Sequence, residues 1–279
     1  MNVLSLFDGI GTGKFILDCL KIENEYYFSE IDKNCVELVK SKYPDSVNLG
    51  DVTEIDYSTL PRIDLLLGGS PCQGFSFSGK QKGFVDYRSI LFFEFLRAFI
   101  VLKPRYFMLE NVNMKMDYVN KISDYIGLRP IILCSSSISA IRRKRLYWTN
   151  IPFYGLRGMS KKIVEILNSS VFFKDITNKY IEIKEGTSSW KKTRANTISL
   201  EGQAKALTTN CMYMGNNGFS IIKCKNKYYS LSIQALEILS GYPENYTFGY
   251  SDAIRAKMIG NAWQVDVVKQ ILSGIRNTK

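Results

Sequence analysis

The sequence contains no histidine. That absence removes the Ser-His-Asp triad and the Cys-His dyad, so a nucleophile here must be activated by carboxylates, arginines, backbone dipoles or the substrate itself. The six cysteines, Cys19, Cys35, Cys72, Cys134, Cys211 and Cys224, form no CxxC pair. Structural zinc needs clustered Cys and His ligands and is not expected. Long apolar runs are also missing: the most apolar stretch, Ile90 to Leu102, is broken by Glu94 and Arg97, so no membrane span is expected. Chemistry-bearing residues begin within a few positions of Met1, which leaves no room for a signal peptide and makes the cytosol the expected location, at the nucleoid in a bacterial or phage setting. No internal repeat or low-complexity tract is visible.

What is present is charge of one sign, unevenly spread. The 279 residues carry a net +11. Residues 1–150 hold 19 Lys+Arg and 17 Asp+Glu, or +2, and residues 151–279 hold 18 and 9, or +9. An excess of this size on one part of the chain points to a polyanionic partner, nucleic acid first, although solubility or the lysine bias of an AT-rich genome explains charge alone equally well.

The pattern along the first half alternates between strands and helices. Residues 2–7 and Tyr26 to Ser29, Val47 to Leu49, Ile63 to Leu67, Tyr106 to Leu109, Arg129 to Cys134 and Leu146 to Asn150 read as strands. Helices are expected after Gly13, over Val36 to Tyr43, Ser89 to Leu102 and Met116 to Tyr125. Such alternation predicts an α/β fold with a parallel, doubly wound sheet over 1–150. Residues 151–250 predict a small, mostly β or irregular domain, with β-like runs at Tyr180 to Ile183 and Phe219 to Ile222 and a helix from the N-cap Ser232. Residues 251–279 read as a helical segment, interrupted at Gly260, that returns to the first domain.

The chemistry-bearing residues fall at strand ends, where ligands bind in open α/β sheets. Asp8-Gly9-Ile10-Gly11-Thr12-Gly13 joins the first strand to the first helix, a glycine turn that lets a ligand approach a helix N-terminus. No Lys-Ser/Thr pair follows, so it is not a P-loop. Glu30 and Asp51 end the next two strands. Each alone is more readily a solvated loop carboxylate; together, in order, they favour an adenosine-type ligand, Glu30 at ribose and Asp51 at the adenine amine. The run Ser70-Pro71-Cys72-Gln73-Gly74-Phe75-Ser76-Phe77-Ser78-Gly79 places a thiol at the end of the fourth strand, followed by a polar, glycine-bearing loop that reads as a lid. A lone cysteine is most often a small buried hydrophobe. Glu110, ending the fifth strand, brings a carboxylate to the same edge and makes Cys72 a candidate nucleophile. Arg143 and Arg145 lie in the basic run 142–145, readable either as a solvated patch or as phosphate contact with a charge near the reacting centre.

These motifs, in this order and over nearly the whole chain, resemble the DNA cytosine-5 methyltransferases. NVLSLFDGIGTG is similar to the cofactor-binding first motif, SEID at 29–32 and GDV at 50–52 to the second and third, and GGSPCQGFSFSGKQKGF to the catalytic Pro-Cys motif and loop. LENV at 109–112, IRRKR at 141–145, AKALTT at 204–209 and GNAWQVDVV at 260–268 resemble later motifs. The resemblance implies a Rossmann-like S-adenosylmethionine-dependent methyltransferase domain joined to a small target-recognition domain, with S-adenosylhomocysteine as product. It implies that Cys72 attacks carbon-6 of a cytosine flipped out of duplex DNA, that Glu110 engages N3 and the exocyclic amine, and that Arg145 sits near O2 while Arg143 holds phosphate and the closed loop. For the cofactor it implies Phe7, Gly9 and Gly11 in the turn, Glu30, Ile31, Asp51 and Val52 around ribose and adenine, and Pro71, Leu91 and Asn261 at the methionine end. Gln73, Ser76 and Ser78 belong by resemblance to the loop that closes over DNA. Arg157, Lys161, Lys162, Lys191, Lys192 and Arg194 are candidate phosphate contacts, each readable equally as surface charge. A cognate restriction endonuclease and a homo-oligomer are compatible further partners.

The chain departs from the family pattern in three places. Ile141 stands where the eighth motif commonly has Gln, and Ala262-Trp263 where Ser-Val is usual. This Trp, with LFFEFLR at 91–97 and ISAIRRKRLYW at 138–148, is similar to the eukaryotic de novo branch. The segment 151–203 is short for a target-recognition domain. Three other classes compete, of which a nucleotide-dependent oxidoreductase fits the glycine turn alone and none of the later motifs. The tRNA-methylating branch of the fold is marked by Cys-Phe-Thr, and none of the six cysteines is followed by Phe-Thr. A non-enzymatic regulator on the same scaffold would not need Cys72, Glu110 and Arg145 together.

Overall fold

Val3, Leu4, Ser5 and Leu6 are all buried, as a central parallel strand covered on both faces requires. A computed structural model describes residues 1–70, 87–167, 169–183, 185–209, 211 and 219–278. They divide into a first unit, Met1–Leu133 with Lys144–Tyr154 and Lys269–Lys279, and a second unit, Cys134–Arg143 with Gly155–Val268. The expected boundaries at 150 and 250 differ from this division. The segment 134–143 clusters with the second unit, and the chain re-enters the first at 269.

Along the chain run β1 (Asn2–Leu6), α1 (Thr12–Cys19), β2 (Glu25–Ser29), α2 (Lys33–Lys42), β3 (Val47–Asn48), β4 (Leu65–Gly68), α3 (Tyr87–Leu102), β5 (Tyr106–Val112), α4 (Met116–Ile126), β6 (Ile131–Cys134), β7 (Ile141–Arg142) and β8 (Lys144–Thr149). The large sheet has the order β3-β2-β1-β4-β5-β8-β6. Strands β1 to β5 pair in parallel, but β8 runs antiparallel to β5. The expected all-parallel sheet is therefore mixed. In this sheet β8 neighbours β6, and only residues 135–143 connect the two, whereas a parallel connection needs a crossover of a dozen residues or more.

Helix α1 can lie close to the sheet because residue 13 is glycine. A Cβ there would meet the Tyr26 hydroxyl at 2.6 Å and a Leu67 methyl at 2.8 Å. Asp32 caps α2 by accepting from Asn34 N–H at 3.1 Å. On one side of the sheet Phe92, Phe95 and Ala98 of α3 pack with Leu4, Leu66, Phe107 and Trp148 into the main core.

The second unit continues with α5 (Ile163–Ile166), β9 (Phe173–Asp175), α6 (Thr177–Ile181), α7 (Ser188–Ala195), β10 (Thr197–Ser199), β11 (Ala204–Lys205), β12 (Ile221–Cys224), β13 (Lys227–Leu231), α8 (Ile233–Leu239) and α9 (Asp252–Asn261), and α10 (Val265–Leu272) spans the return to the first unit. Its four-stranded sheet has the order β10-β12-β13-β9, and β11 pairs with β7. It is more helical than expected. The run Tyr180 to Ile183, read as β-like, starts inside α6, where the Asp175 carboxylate accepts from Thr177 N–H at 2.8 Å and Tyr180 turns inward to stack on Tyr228 at 3.7 Å. Ser232 caps α8 as expected, accepting from Ala235 N–H at 3.2 Å. The predicted interruption at Gly260 lies inside α9 instead. Glycine is needed there for close packing, since a Cβ would come within 2.5 Å of the Thr208 backbone. A buried ion pair, Arg255 to Glu237 at 3.0 Å, holds the α8–α9 connection, with Glu237 also accepting from the N–H groups of Asn245 and Thr247. Among the described residues no helix is long and apolar enough to cross a membrane.

Candidate active site

The parallel register builds the site edge. Leu6 lies level with Ser29 and Gly68, and Gly68 with Leu109. The residues that follow, Phe7, Glu30, Gly69 and Glu110, therefore emerge along one edge of the first unit. This is the carboxyl edge of the parallel strands, where such sheets bind ligands.

At the β1–α1 turn, Phe7, Gly9 and Gly11 have φ of 59°, 62° and 73°. Gly11 serves as the left-handed N-cap of α1. A Cβ on Gly9 would meet nothing within 4 Å, so the turn faces open space. Glu30 braces this turn from the side: Oε2 accepts from Gly9 N–H at 2.9 Å, and Oε1 accepts from the N–H groups of Ile31 and Asp32 at 2.9 and 2.8 Å. Three fixed donors on one carboxylate define its place without help from a ligand. Beside it Ile31 is 71% exposed, an apolar surface that water covers poorly and a planar base would cover well. Asp51 accepts at Oδ1 from Thr53 N–H and Oγ1 at 2.9 and 2.8 Å, and these bonds hold its carboxyl below the usual carboxylate range. Val52 is buried behind it. Phe7, Gly9, Gly11, Glu30, Ile31, Asp51 and Val52 thus share the edge formed by β1, β2 and the turn after β3.

The other half of the edge lies at β4 and β5. Strand β5 continues past the expected Leu109 to Val112, so Glu110 sits within the sheet, opposite Tyr147 of β8. Arg145 pairs with Val112, which makes it the diagonal neighbour of Glu110 on the same face. The guanidinium Nε stands 3.0 Å from Glu110 Oε1 as an ion pair, although the two atoms lack hydrogen-bond alignment. Glu110 is 8% exposed, so the pair is largely shielded from water. Next to it Asn111 donates from Nδ2 to Ser70 Oγ at 3.1 Å, and its Oδ1 accepts from Val112 N–H at 2.8 Å. Asn111, which the reading of individual residues passed over, therefore ties the end of the β4 segment to the strand that carries Glu110. Its position directly after Glu110 in LENV was the available signal. Pro71, Cys72, Gln73, Ser76 and Ser78 lie outside the described residues. Leu91 is half-buried on α3.

In the second unit Arg143 is buried. It is 7% exposed, and its Nη1 donates to the carbonyls of Leu207 and Gly260 at 3.4 and 3.2 Å. These bonds make Arg143 a clamp on two backbone segments, a role the sequence reading did not include. Asn261 ends α9 and is exposed. Arg157, Lys161, Lys162, Lys191, Lys192 and Arg194 are all exposed. They are not equivalent: Lys162 is paired with Glu201 at 2.7 Å, while the Arg194 guanidinium lies 5.3 Å from the ring centres of both Tyr180 and Trp190.

Comparison with known proteins bears directly on this arrangement. The profile of the family described as C-5 cytosine-specific DNA methylase matches residues 1–122 and 143–277. The chain is 44% identical over 115 residues to the orphan methyltransferase M.Rho11sI of Bacillus phage rho11s, a match covering 40% of this chain and 23% of that protein. It is 48% identical over 86 residues to the type II methyltransferase M.NlaIV of Neisseria lactamica, covering 31% and 20%. The matched segments thus span about a quarter or less of these relatives. Among solved structures, Spodoptera frugiperda DNMT2 superposes with a TM-score of 0.72 at 16% identity, covering 99% of both chains. A prophage-encoded E. coli chain assigned as a DNA modification methyltransferase gives 0.70 at 18%, again covering 99% of both. At these identities the structural likeness shows the fold, a Rossmann-like methyltransferase domain with an additional unit.

Proposed function

Because the chain belongs to the C-5 cytosine-specific DNA methylase family, we propose that it transfers a methyl group from S-adenosylmethionine to carbon-5 of a cytosine flipped out of duplex DNA. The observation that carries this reading is Glu110, shielded on β5, paired with Arg145, and joined through Asn111 to the segment that leads into Cys72. The residues present fit the cofactor. The open glycine turn, the fixed Glu30 carboxylate and the exposed Ile31 suit a ribose with an attached base, and Asp51 is held ready for the adenine amine. When bound, S-adenosylmethionine supplies an electrophilic methyl group.

In this proposal the protein's own residues do the following. The Cys72 thiolate forms a bond to carbon-6 of cytosine, and the ring electrons move to carbon-5 as N3 takes a proton from Glu110. A charge placed beside N3 in a shielded site costs little reorganisation, which is why the carboxyl belongs on a strand. Arg145 holds Glu110 in place and keeps a positive charge at the reacting ring. After carbon-5 is methylated, its proton passes to a water molecule, Cys72 leaves as the thiolate, and N3 returns its proton to Glu110, which restores the aromatic ring and the free enzyme. Extrusion of the base is required because carbon-5 and carbon-6 are inaccessible in the stack. The second unit is proposed as the target reader, with Lys161, Lys191, Lys192 and Arg194 contributing phosphate contacts.

The test is transfer of labelled methyl from S-adenosylmethionine to duplex DNA and, separately, to tRNA. The expected result is DNA labelling that Cys72→Ala abolishes, with a covalent complex trapped on a duplex carrying 5-fluorocytosine. Full activity in Cys72→Ala, or transfer to tRNA alone, would overturn the reading.

A further inference from the structure

Between β3 and β4, residues 50–62 take no part in the sheet and form two short 3-10 turns, Val52–Glu54 and Tyr57–Thr59. Without a ladder, side chains decide the path of the backbone here. Two of them fix the start of the segment: Ser29 Oγ donates to the Gly50 carbonyl at 2.8 Å, and Asn48 Oδ1 accepts from Gly50 N–H at 3.1 Å. The far side is held from α3. Arg97 Nη2 donates to the Val52 carbonyl and Nη1 to the Ile55 carbonyl, both at 3.0 Å. The same guanidinium lies 4.5 Å from the Tyr57 ring centre, and its Nε donates to Glu94 Oε2 at 2.8 Å. Together these contacts give the planar fork one orientation.

Packing of α3 does not require this arrangement, since Phe92, Phe95, Leu96 and Ala98 supply its apolar contacts with the core. What Arg97 fixes is the turn that carries Asp51. Both bonds that Asp51 receives from Thr53 fall on Oδ1, which leaves Oδ2 for a ligand among the described residues. A Cβ on Gly50 would meet nothing within 4 Å, so the turn is open on that side. A carboxylate separates an amine from a carbonyl at the same position only if it cannot swing aside to avoid the carbonyl. We propose that Arg97 is the positioning residue through which this turn prefers adenine to other bases: by holding the Val52 and Ile55 carbonyls it keeps the Asp51 carboxylate in place for the exocyclic amine. This role rests on the cofactor reading above and deepens it. Arg97 itself touches no ligand.

The experiment is calorimetric titration of the full chain with S-adenosylhomocysteine and with S-inosylhomocysteine, which carries a carbonyl in place of the adenine amine. Wild type should bind the adenine ligand about tenfold or more tightly than the hypoxanthine ligand, the worth of one hydrogen bond to a charged group. Arg97→Ala should lose about tenfold for the adenine ligand and less than about twofold for the hypoxanthine ligand, so that the preference collapses. Arg97→Lys, which keeps the cation but not the fork, should fall between the two and carries the test if Arg97→Ala does not fold. Asp51→Ala should remove the preference as well, and adding Arg97→Ala to it should change the ratio no further. A merely structural arginine would weaken both ligands equally. Equal losses, an unchanged preference in the Arg97 variants, or a wild type indifferent to the base overturn the inference while leaving the cofactor reading intact. Binding of neither ligand to wild type overturns the cofactor reading and the inference with it.

Discussion

The site edge of the first unit and the basic surface of the second solve opposite electrostatic problems. On the first, carboxylates are held by fixed donors and burial: Glu30 by three N–H groups, Asp51 by Thr53, Glu110 by Arg145, and Asp8 by Tyr26. On the second, cations stand in solvent with few ties, in the part of the chain that carries most of the net +11. The difference follows from the ligand each is proposed to meet. A buried acid must be placed before the substrate arrives, because an unpaired charge cannot wander in a low-dielectric site. A phosphate backbone is met along its length by charges whose individual geometry matters little.

That contrast can be broken from either side. The largest effect is expected on the first unit, where Glu110→Gln keeps the shape but removes the proton, lowering kcat roughly 100-fold or more in a methyl-transfer assay while leaving cofactor affinity within about twofold. A loss seen only in KM would move Glu110 from the chemistry to binding. Next, Arg145→Ala leaves the shielded Glu110 carboxylate without its partner and should cost about 3 kcal/mol of stability by urea unfolding at pH 7.5. In the second unit Arg255→Ala breaks a more deeply buried pair and should cost as much or more, about 3–5 kcal/mol. If Arg255→Ala costs clearly less than Arg145→Ala, ion-pair burial is not what sets their worth.

Asp8 sharpens the comparison in the other direction. Its folded-state value of about 6 lies above the ordinary 3.8, so the stability due to its neutral form is fully present below pH 3.8 and is lost as pH rises through 6. Asp8→Asn should therefore be more stable than wild type at pH 7.5, by at most about 3 kcal/mol, with the difference vanishing below pH 4. A variant that is less stable at both pH values would make Asp8 a plain structural group. The smallest effects belong to the second unit's surface. Arg194→Ala should weaken duplex binding and reduce the salt slope by about 1, whereas Lys162→Ala, already tied to Glu201, should change it by less than half of that. Fluorescence anisotropy across a salt series reads both.

Much of the first unit was legible because its signals are local. Buried runs such as Leu65-Leu66-Leu67, glycine punctuation and an acid after each strand report directly on a parallel sheet and its carboxyl edge. The second unit was less legible. Its elements are short, so alternation at Tyr180 to Ile183 outweighed the one local sign of α6, the Asp175 carboxylate that accepts from Thr177 N–H at its start. The reversed strand β8 escaped notice for a related reason: direction is a property of the connection, and the short link from β6 to β8 became informative only once the two were known to be neighbours in one sheet.

By itself the sequence determined the order of motifs, the family they resemble, the absence of histidine chemistry, and the candidate acids at the strand ends. Those are matters of residue type and spacing. Tertiary structure alone decided that Arg143 is a buried clamp and Arg145 the partner of Glu110, although the two stand two positions apart in one basic run. It likewise decided that Asp8 is sealed against Tyr26 while Asp51 faces solvent-side donors. Burial and pairing depend on what the rest of the chain brings to each side chain, and no window of sequence contains those neighbours.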